Sequence, residues 1–190
     1  MNYDLEIMSQ TNVMEYAKIN IKSWLESYMN IVDKDYLESI NTLNELENMK
    51  AALINNLKDG SLRYLLKVNN EYVGIFRVRK TKYEGYEDYG ELGSLYLLNK
   101  VKKNGYGIIM FDRAKRELSH MGYDKMIVGC LEENPSNNFY IHMGGIFLKK
   151  NPIRIGGQDL NENIYIFEKI WENCQQKTSY FRVVQFKCTN

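Results

Sequence analysis

The residues best suited to chemistry lie between Leu95 and Gly107, which read L-Y-L-L-N-K-V-K-K-N-G-Y-G. An apolar strand runs there into a basic, glycine-spaced loop and then into a helix. The first turn of a helix leaves backbone N–H groups without acceptors, and its dipole adds positive potential. Glycine lets the chain approach an anion without a Cβ in the way. The pattern therefore fits a phosphate cradle, although two such glycines are also typical of a plain tight turn.

A second group of polar and aromatic residues occupies positions 133–145, which read E-N-P-S-N-N-F-Y-I-H-M-G-G. It follows an apolar run predicted to be a short buried strand, and residues Ser136 to Met143 are predicted to form a short helix. Asn134 at the end of that strand suits an Asx turn that caps the helix. The two groups are thus both placed where a strand gives way to a helix.

Both groups resemble segments of the GNAT superfamily of acetyltransferases. The cradle resembles the acetyl-CoA loop of that family, which has Gln or Arg, two variable residues, Gly, one variable residue, and Gly or Ala. Lys102 stands at the Gln or Arg position, so the charge is kept without the planar fork of arginine. The second group resembles the family segment in which an Asn ends a strand and a Phe-Tyr pair lies on the next helix. The resemblance extends over about residues 3–171, whereas dinucleotide and P-loop patterns fit the glycines less well.

The resemblance implies a single α/β domain with a central mixed sheet flanked by helices. It implies an N-acetyltransferase that moves the acetyl group of acetyl-CoA directly to an amine, of a small molecule or a peptide, without a covalent enzyme intermediate. The pantetheine arm is expected along the backbone of Leu97 and Leu98, with Asn134 bonding its amides. The phosphates are expected at Lys102, Lys103, Asn104, Gly105, Tyr106, Gly107 and Ile108.

Two residues are candidates for proton transfer. Tyr140 matches the general acid of the family, and its alternative is ordinary packing, since the chain has 15 tyrosines. An amine like that of lysine has a pKa of about 10.4, so its proton must be removed. Glu91 at the start of the strand before the cradle is the candidate base, with Asp88 and Glu87 in reserve. Its alternative is a solvated carboxylate at a strand edge.

Composition and charge exclude several other classes of protein. Lys and Arg number 25 against 24 Asp and Glu, a balance of +1 that argues against binding to nucleic acid. No apolar run approaches the roughly 18 residues of a membrane span, and no signal peptide is recognised, so a cytoplasmic protein is expected. The three cysteines and two histidines show no metal-ligand spacing, and Cys130 is expected to be a packed strand residue.

The predicted elements place these groups on a mixed sheet. Helical periodicity starts at Val13 after Thr11 or Asn12, restarts at Asp33, and ends at Asp59-Gly60. Period-two alternation then predicts a hairpin that turns at Asn69-Asn70. Further strands are expected at residues 6–8, 92–98, 125–131, 146–149 and 164–171, with a mobile acidic and aromatic loop at residues 81–90 and a helix after Gly107.

Residues 1–172 are predicted to form one domain, and residues 173–190 an extension. The tail is rich in β-prone residues, and we expect it to add a strand or to form a contact in a homodimer. Two functions other than catalysis remain open at this point. One is a CoA-binding regulatory or interaction module that has lost activity, and the other is a nucleotide-binding domain.

Overall fold

The computed structural model describes residues 2–170, which fold into a seven-stranded mixed sheet with helices on both faces. This confirms the predicted α/β class. In chain order the elements are β1 Tyr3–Ile7, α1 Val13–Tyr28, α2 Lys34–Ile40, α3 Leu43–Asn55, β2 Leu62–Val68, β3 Glu71–Lys80, β4 Tyr89–Leu97, α4 Tyr106–His120, β5 Lys125–Leu131, α5 Asn137–His142, β6 Ile146–Ile155 and β7 Gln158–Phe167.

The strands lie in the order β1-β2-β3-β4-β5-β7-β6, and the pair β4–β5 alone is parallel within residues 2–170. That pair is short, because Tyr89–Glu91 of β4 faces Lys125–Ile127 of β5 and the pairing then ends. From Leu92 to Leu97, β4 is still bonded to β3. The two middle strands therefore diverge, and one edge of β4 is left without a strand partner.

Local sequence explains where several elements begin. The Asp33 carboxylate accepts a hydrogen bond from the N–H of Tyr36 at 2.9 Å and caps α2, as predicted. Asn69 and Asn70 both have positive φ, 47° and 69°, which is the backbone of a type I′ turn between β2 and β3. The alternation of β2 puts Tyr64 and Leu66 on one face and Leu65 on the other.

Each face of the sheet has its own apolar core. On one face, Met110, Phe111 and Leu118 of α4 are fully buried against Phe76 and other strand residues. On the other face, α1 packs Tyr16 and Ile19 against the opposite side of β2 and β3. Helix α4 is the next helix after the diverging strand β4, which it follows across a loop of residues 98–105 that includes a short 3-10 turn, so its N-terminus lies at the mouth of the opening.

The β6–β7 hairpin reaches back to the helices of the N-terminal third. Its turn at Gly156 has φ 58° and lies against the ring of Tyr36 so closely that a Cβ there would collide with the ring. Gln158 accepts a hydrogen bond from the N–H of Asp33 at 2.9 Å and donates one to the carbonyl of Ile31 at 3.2 Å. The hairpin thus fixes the connection between α1 and α2.

Some expected boundaries differ from the structure. Strands β6 and β7 are each ten residues long, because the hairpin pairs almost to its Gly156-Gly157 turn. The segment expected to be a mobile loop packs instead, since Tyr83 is buried and its hydroxyl donates to Glu162 at 2.9 Å. The expected strand or subunit contact of residues 173–190 lies outside the described residues, and the domain boundary at 172 stays a prediction.

Candidate active site

A cleft of about 540 Å³ lies where β4 and β5 diverge, between the start of α4 and the start of α5. We call it the α4 cleft; β4 residues 92–97 form one wall. It is lined by eight of the residues singled out from sequence, namely Leu97, Lys102, Lys103, Gly105, Gly107, Ile108, Asn134 and Tyr140. The divergence of the strands creates the space that these side chains share.

The start of α4 carries free backbone donors and positive charge. Gly105 is the N-cap residue with φ 82°, a left-handed conformation that favours glycine. Within residues 2–170 no acceptor is found for the N–H groups of Gly105, Tyr106 and Gly107. Lys102 and Lys103 are exposed beside them and form no ion pair with any described residue. Free donors, the helix dipole and two ammonium groups give this end positive potential.

Asn104 and Tyr106 shape the cradle without lining it. The amide of Asn104 donates to the carbonyls of Val101 and Lys102, both at 3.3 Å, and so closes the loop on itself. The Tyr106 side chain is buried in the core and packs edge-on against Tyr3 with ring centroids 6.2 Å apart. Their contribution to binding would come through the backbone.

The free edge of β4 supplies backbone groups to the cleft. The N–H of Leu98 donates to the carbonyl of Val73 at 2.9 Å, so it points toward β3. Backbone direction alternates along a strand, and the N–H and carbonyl of Leu97 therefore point away from β3 into the opening. The side chain of Leu98 is buried on the α1 face. Of the two leucines expected along the cofactor, Leu97 lines the cleft and Leu98 does not.

Tyr140 is placed with its ring in an aromatic cluster at the inner end of the cleft. Its centroid lies 5.5 Å from that of Phe139, 6.1 Å from Tyr165 and 6.5 Å from Phe111. Burial raises the pKa of its hydroxyl well above the ordinary value, and nearby Cys130 and Tyr96 raise it further. No hydrogen-bond partner for this hydroxyl is found in the described part of the chain. The phenol is therefore a protonated donor at neutral pH.

A second cavity, also about 540 Å³, lies on the opposite face of the sheet between β4 and the helices α1, α2 and α3. We call it the α1–α3 cavity. It shares Gly93, Ser94 and Tyr96 with the α4 cleft, so β4 is a common wall. Two compartments that meet at one strand can hold two substrates with their reacting groups in contact.

Comparisons with known proteins match this arrangement. A family model described as FR47-like protein matches residues 72–153, which contain the cradle and Tyr140. The uncharacterized N-acetyltransferase YuaI of Bacillus subtilis (strain 168) is 28% identical over 156 residues, 80% of this chain and 84% of YuaI.

Two solved structures extend the match to the fold. PaiA N-acetyltransferase from Thermoplasma acidophilum, solved in complex with coenzyme A, superposes with a TM-score of 0.64 at 16% identity, covering 86% of this chain and 98% of that one. YncA from Salmonella typhimurium, solved with its cofactor acetyl-CoA, gives 0.63 at 17% identity, covering 90% and 95%. The chain is thus similar in sequence to an N-acetyltransferase and in fold to acetyltransferases solved with coenzyme A or acetyl-CoA.

Two asparagines organise the end of β5 beside Tyr140. The carboxamide oxygen of Asn134 accepts from the N–H of Ser136 at 2.8 Å, which is the Asx turn that was one of its two predicted roles. Asn137, which sequence reasoning missed, donates to the carbonyls of Leu131 and Asn134 at 2.8 and 2.7 Å. It ties β5 to α5 and so fixes the position of Tyr140.

Three further side chains of the α4 cleft were not singled out as site residues from sequence. The hydroxyls of Tyr28 and Tyr96 lie 3.1 Å apart, although 68 residues separate them in the chain. Burial raises the pKa of Tyr96 to about 12 and that of the Cys130 thiol to about 12. Cys130 therefore stays protonated and acts as a packed strand residue, as expected. Long-range pairs such as Tyr28 and Tyr96 leave no local signal in the sequence.

Glu91 lines neither the α4 cleft nor the α1–α3 cavity. Its side chain is 3% exposed, because β4 already begins at Tyr89 and Glu91 is the last residue paired with β5. The carboxylate accepts hydrogen bonds from Arg79 Nη2 at 2.6 Å and from the N–H of Lys82 at 2.9 Å. This position does not suit the base predicted from sequence, nor the solvated carboxylate that was its alternative.

The two reserves for the base are also engaged. Asp88 forms an ion pair with Lys125 at 2.8 Å, and Glu87 accepts a hydrogen bond from the N–H of Gly85 at 2.9 Å. Among residues 2–170 no group of three His, Cys, Asp or Glu side chains gathers closely enough to hold a metal ion. The same residues include no helix with the length and apolar character that crossing a bilayer requires.

Glu91→Gln tests whether the residue is structural. We expect the free energy of unfolding to fall by about 2–4 kcal/mol, because the substitution leaves Arg79 without its buried counter-charge. Turnover per folded molecule should stay within a few-fold of wild type. Urea denaturation measures the first quantity, with Asp88→Asn as the control, because the exposed pair with Lys125 is worth at most about 1 kcal/mol. A turnover loss above a hundredfold with unchanged stability would contradict this assignment.

Proposed function

We propose that the protein transfers the acetyl group of acetyl-CoA directly to a primary amine that enters through the α1–α3 cavity. The similarity to an N-acetyltransferase and to structures solved with coenzyme A or acetyl-CoA supports an acetyl-CoA-dependent acyltransferase, and the proposal adds the nature of the acceptor. The observation that carries the proposal is the common wall of Gly93, Ser94 and Tyr96, where the two compartments meet beside the Tyr140 end of the α4 cleft.

The α4 cleft fits acetyl-CoA at both ends. The phosphates would be held by the free N–H groups at the start of α4 together with Lys102 and Lys103. The amide-bearing arm would pair with the open edge of β4, whose Leu97 backbone groups otherwise lack a strand partner. A Cβ built on Gly107 would lie 3.5 Å from Phe139 and 3.8 Å from Leu97, on the cleft side of the helix.

The chemistry follows from what the residues offer. The amine nitrogen attacks the thioester carbonyl, a C–N bond forms, and the carbonyl oxygen becomes an oxyanion that N–H groups on the open edge of β4 can stabilise. The C–S bond then breaks, and the hydroxyl of Tyr140 gives its proton to the departing thiolate. Solvent returns a proton to the phenol, so the enzyme is regenerated without a covalent intermediate.

The proton of the amine leaves through water. No Asp, Glu or His side chain of the described chain lines the α4 cleft, and Glu91 is bound to Arg79. Glu45, half-buried on α3, is the acidic side chain of the α1–α3 cavity. A water chain from the amine past Glu45 to solvent is therefore the route that the cavity offers.

The proposal is tested by release of free CoA when acetyl-CoA is mixed with a panel of primary amines. Acetyl-amine formation confirmed by mass spectrometry would support it. Tight binding of acetyl-CoA with no transfer to any amine would instead favour a regulatory module that has lost catalysis. Stabilisation by ATP and not by acetyl-CoA would point to a nucleotide-binding domain, since a ligand of the native state raises its stability.

Gly107→Val tests the cradle. The larger side chain would enter the space where the backbone is to meet phosphate, and we expect the Kd of acetyl-CoA to rise by more than about tenfold. The melting temperature should change little, because the nearest atoms to a Cβ are at ordinary contact distances. Calorimetry measures the affinity, with Ser119→Val at the far end of α4 as the control. If the Gly107→Val variant binds acetyl-CoA with wild-type affinity, Gly107 does not contribute to phosphate binding.

Tyr140→Phe tests the general acid. The ring contacts stay, and we expect turnover to fall by roughly ten- to a thousandfold with little change in acetyl-CoA affinity. The reason is that the phenol acts on charge that develops only as the thiolate leaves. Steady-state kinetics and calorimetry on the same preparations give both numbers. Tyr123→Phe is the control, because Tyr123 is partly buried in the same core and its hydroxyl has no hydrogen-bond partner among the described residues. An unchanged turnover for Tyr140→Phe would mean that Tyr140 only packs.

The pH profile tests the protonation state of Tyr140. Because burial raises its pKa, the donor remains protonated while an ordinary tyrosine titrates near pH 10. We expect kcat/KM to rise with pH as the free amine is deprotonated and to show no falling limb between pH 7 and about 10. Circular dichroism at each pH verifies folding. A decline that starts below pH 9 in folded protein would contradict a raised pKa.

A further inference from the structure

Arg77 is a cation on the wall of the α1–α3 cavity that lacks a counter-charge. It forms no ion pair with any of residues 2–170, and its Nε is buried without a hydrogen-bond partner. Its guanidinium lies over Gly93, since a Cβ on that glycine would be 3.2 Å from Nε and from Nη2. Burial lowers the pKa of Arg77, which means that the site raises the energy of its charge. A half-buried cation whose Nε has no acceptor among the described residues is suited to binding an anion.

The neighbouring arginines differ from Arg77 in having a carboxylate partner, although the Nε of Arg79 is also buried without a hydrogen-bond partner among the described residues and would lie 3.3 Å from a Cβ on Gly93. Arg63 is 5% exposed and is held by Asp59 at 2.7 Å. Arg79 is paired with Glu91 at 2.6 Å. Arg63, Arg77 and Arg79 thus carry three positive charges against the two negative charges of Asp59 and Glu91. Within the described residues the charge without an ion-pair partner is that of Arg77.

The carboxylate of Glu45 does not supply the missing charge. It lies in the first turn of α3 and accepts a hydrogen bond from the amide of Asn48 at 3.1 Å. Within the described residues it forms no ion pair with Arg77. The guanidinium is therefore available to something that enters the cavity.

The cavity has the size and walls of a small-molecule site. Its volume of about 540 Å³ is within the range of ligand pockets, and its lining combines Tyr16, Trp24, Tyr36 and Tyr96 with few charged groups. Arg77 contacts Gly93, which belongs to the wall shared with the α4 cleft. One small molecule could thus place its anionic group at Arg77 and its amine at this shared wall.

We propose that the acceptor of this enzyme is a small amine that also carries an oxyanionic group, a carboxylate or a phosphate, which Arg77 binds in the α1–α3 cavity. The inference rests on the proposed acetyl transfer and adds the substrate class. Arginine presents a planar fork that matches carboxylate and phosphate with two parallel hydrogen bonds. Polyamines are disfavoured at the same place, because their additional positive charges would meet Arg77.

Matched pairs of amines test the substrate class. L-phenylalanine is compared with L-phenylalaninamide, and O-phosphoethanolamine with ethanolamine, by release of free CoA. We expect wild type to prefer the anionic member of at least one pair by about 10- to 100-fold in kcat/KM, the worth of a charge-assisted hydrogen bond. Arg77→Gln should abolish that preference, and Arg77→Lys should restore part of it. The pair that is preferred distinguishes carboxylate from phosphate.

Arg154→Gln is the control, since Arg154 is exposed on the β6–β7 hairpin and pairs with Asp159 outside both compartments. Its preference should equal that of wild type. Equal or better use of the neutral member in both pairs would overturn the proposal, as would a preference that survives Arg77→Gln in folded protein.

A binding measurement tests anion binding by Arg77 even if the protein acetylates no amine. If no amine is acetylated, acetyl transfer fails as the function, and the anionic ligands are then tested with CoA present by the shift in melting temperature. A shift for wild type that is absent in Arg77→Gln would support anion binding by Arg77. No shift for either protein would overturn it.

Discussion

The divergence of β4 from β5 is the constraint on which the rest of the structure depends. A parallel pair that stops after Glu91 leaves backbone N–H and carbonyl groups of β4 without partners, and buried groups of this kind require acceptors and donors. The opening also sets where α4 begins, because the chain leaves β4 and turns at Gly105 into the helix. The divergence of β4 from β5 therefore brings three features to the α4 cleft. They are the free backbone groups of β4, the N-terminal end of the α4 dipole and the phenol of Tyr140.

Local chemistry made much of the fold predictable. Asp33 and the Asn69-Asn70 turn act on backbone within a few residues, so their patterns predicted a helix start and a hairpin that the structure has. The length of the β6–β7 hairpin could not be predicted in the same way. Its exposed strands alternate weakly, and their pairing is fixed by partners in the other strand and in α2.

The site was predictable where it follows from one segment and not where it joins several. The cradle lies in consecutive residues, and the structure puts Lys102, Lys103, Gly105 and Gly107 on one cleft. Glu91 was misplaced because the sequence shows a carboxylate near a strand start but not the Arg79 that faces it across β3 and β4. No sequence pattern pointed to Arg77. What sets this residue apart is that no carboxylate of residues 2–170 forms an ion pair with it, and a missing contact cannot be read from the sequence.

The contact between Gly156 and Tyr36 has a consequence for the order in which the two compartments are completed. Tyr36 lines the α1–α3 cavity, and Asp33 and Gln158, whose hydrogen bond holds the same contact, are 125 residues apart in the chain. Contacts of such sequence separation carry a large loop-closure cost and tend to form late in folding. The cradle, by contrast, needs only a strand and the helix that follows it. A newly made chain would thus form the glycine loop at the start of α4 before it completes the α1–α3 cavity.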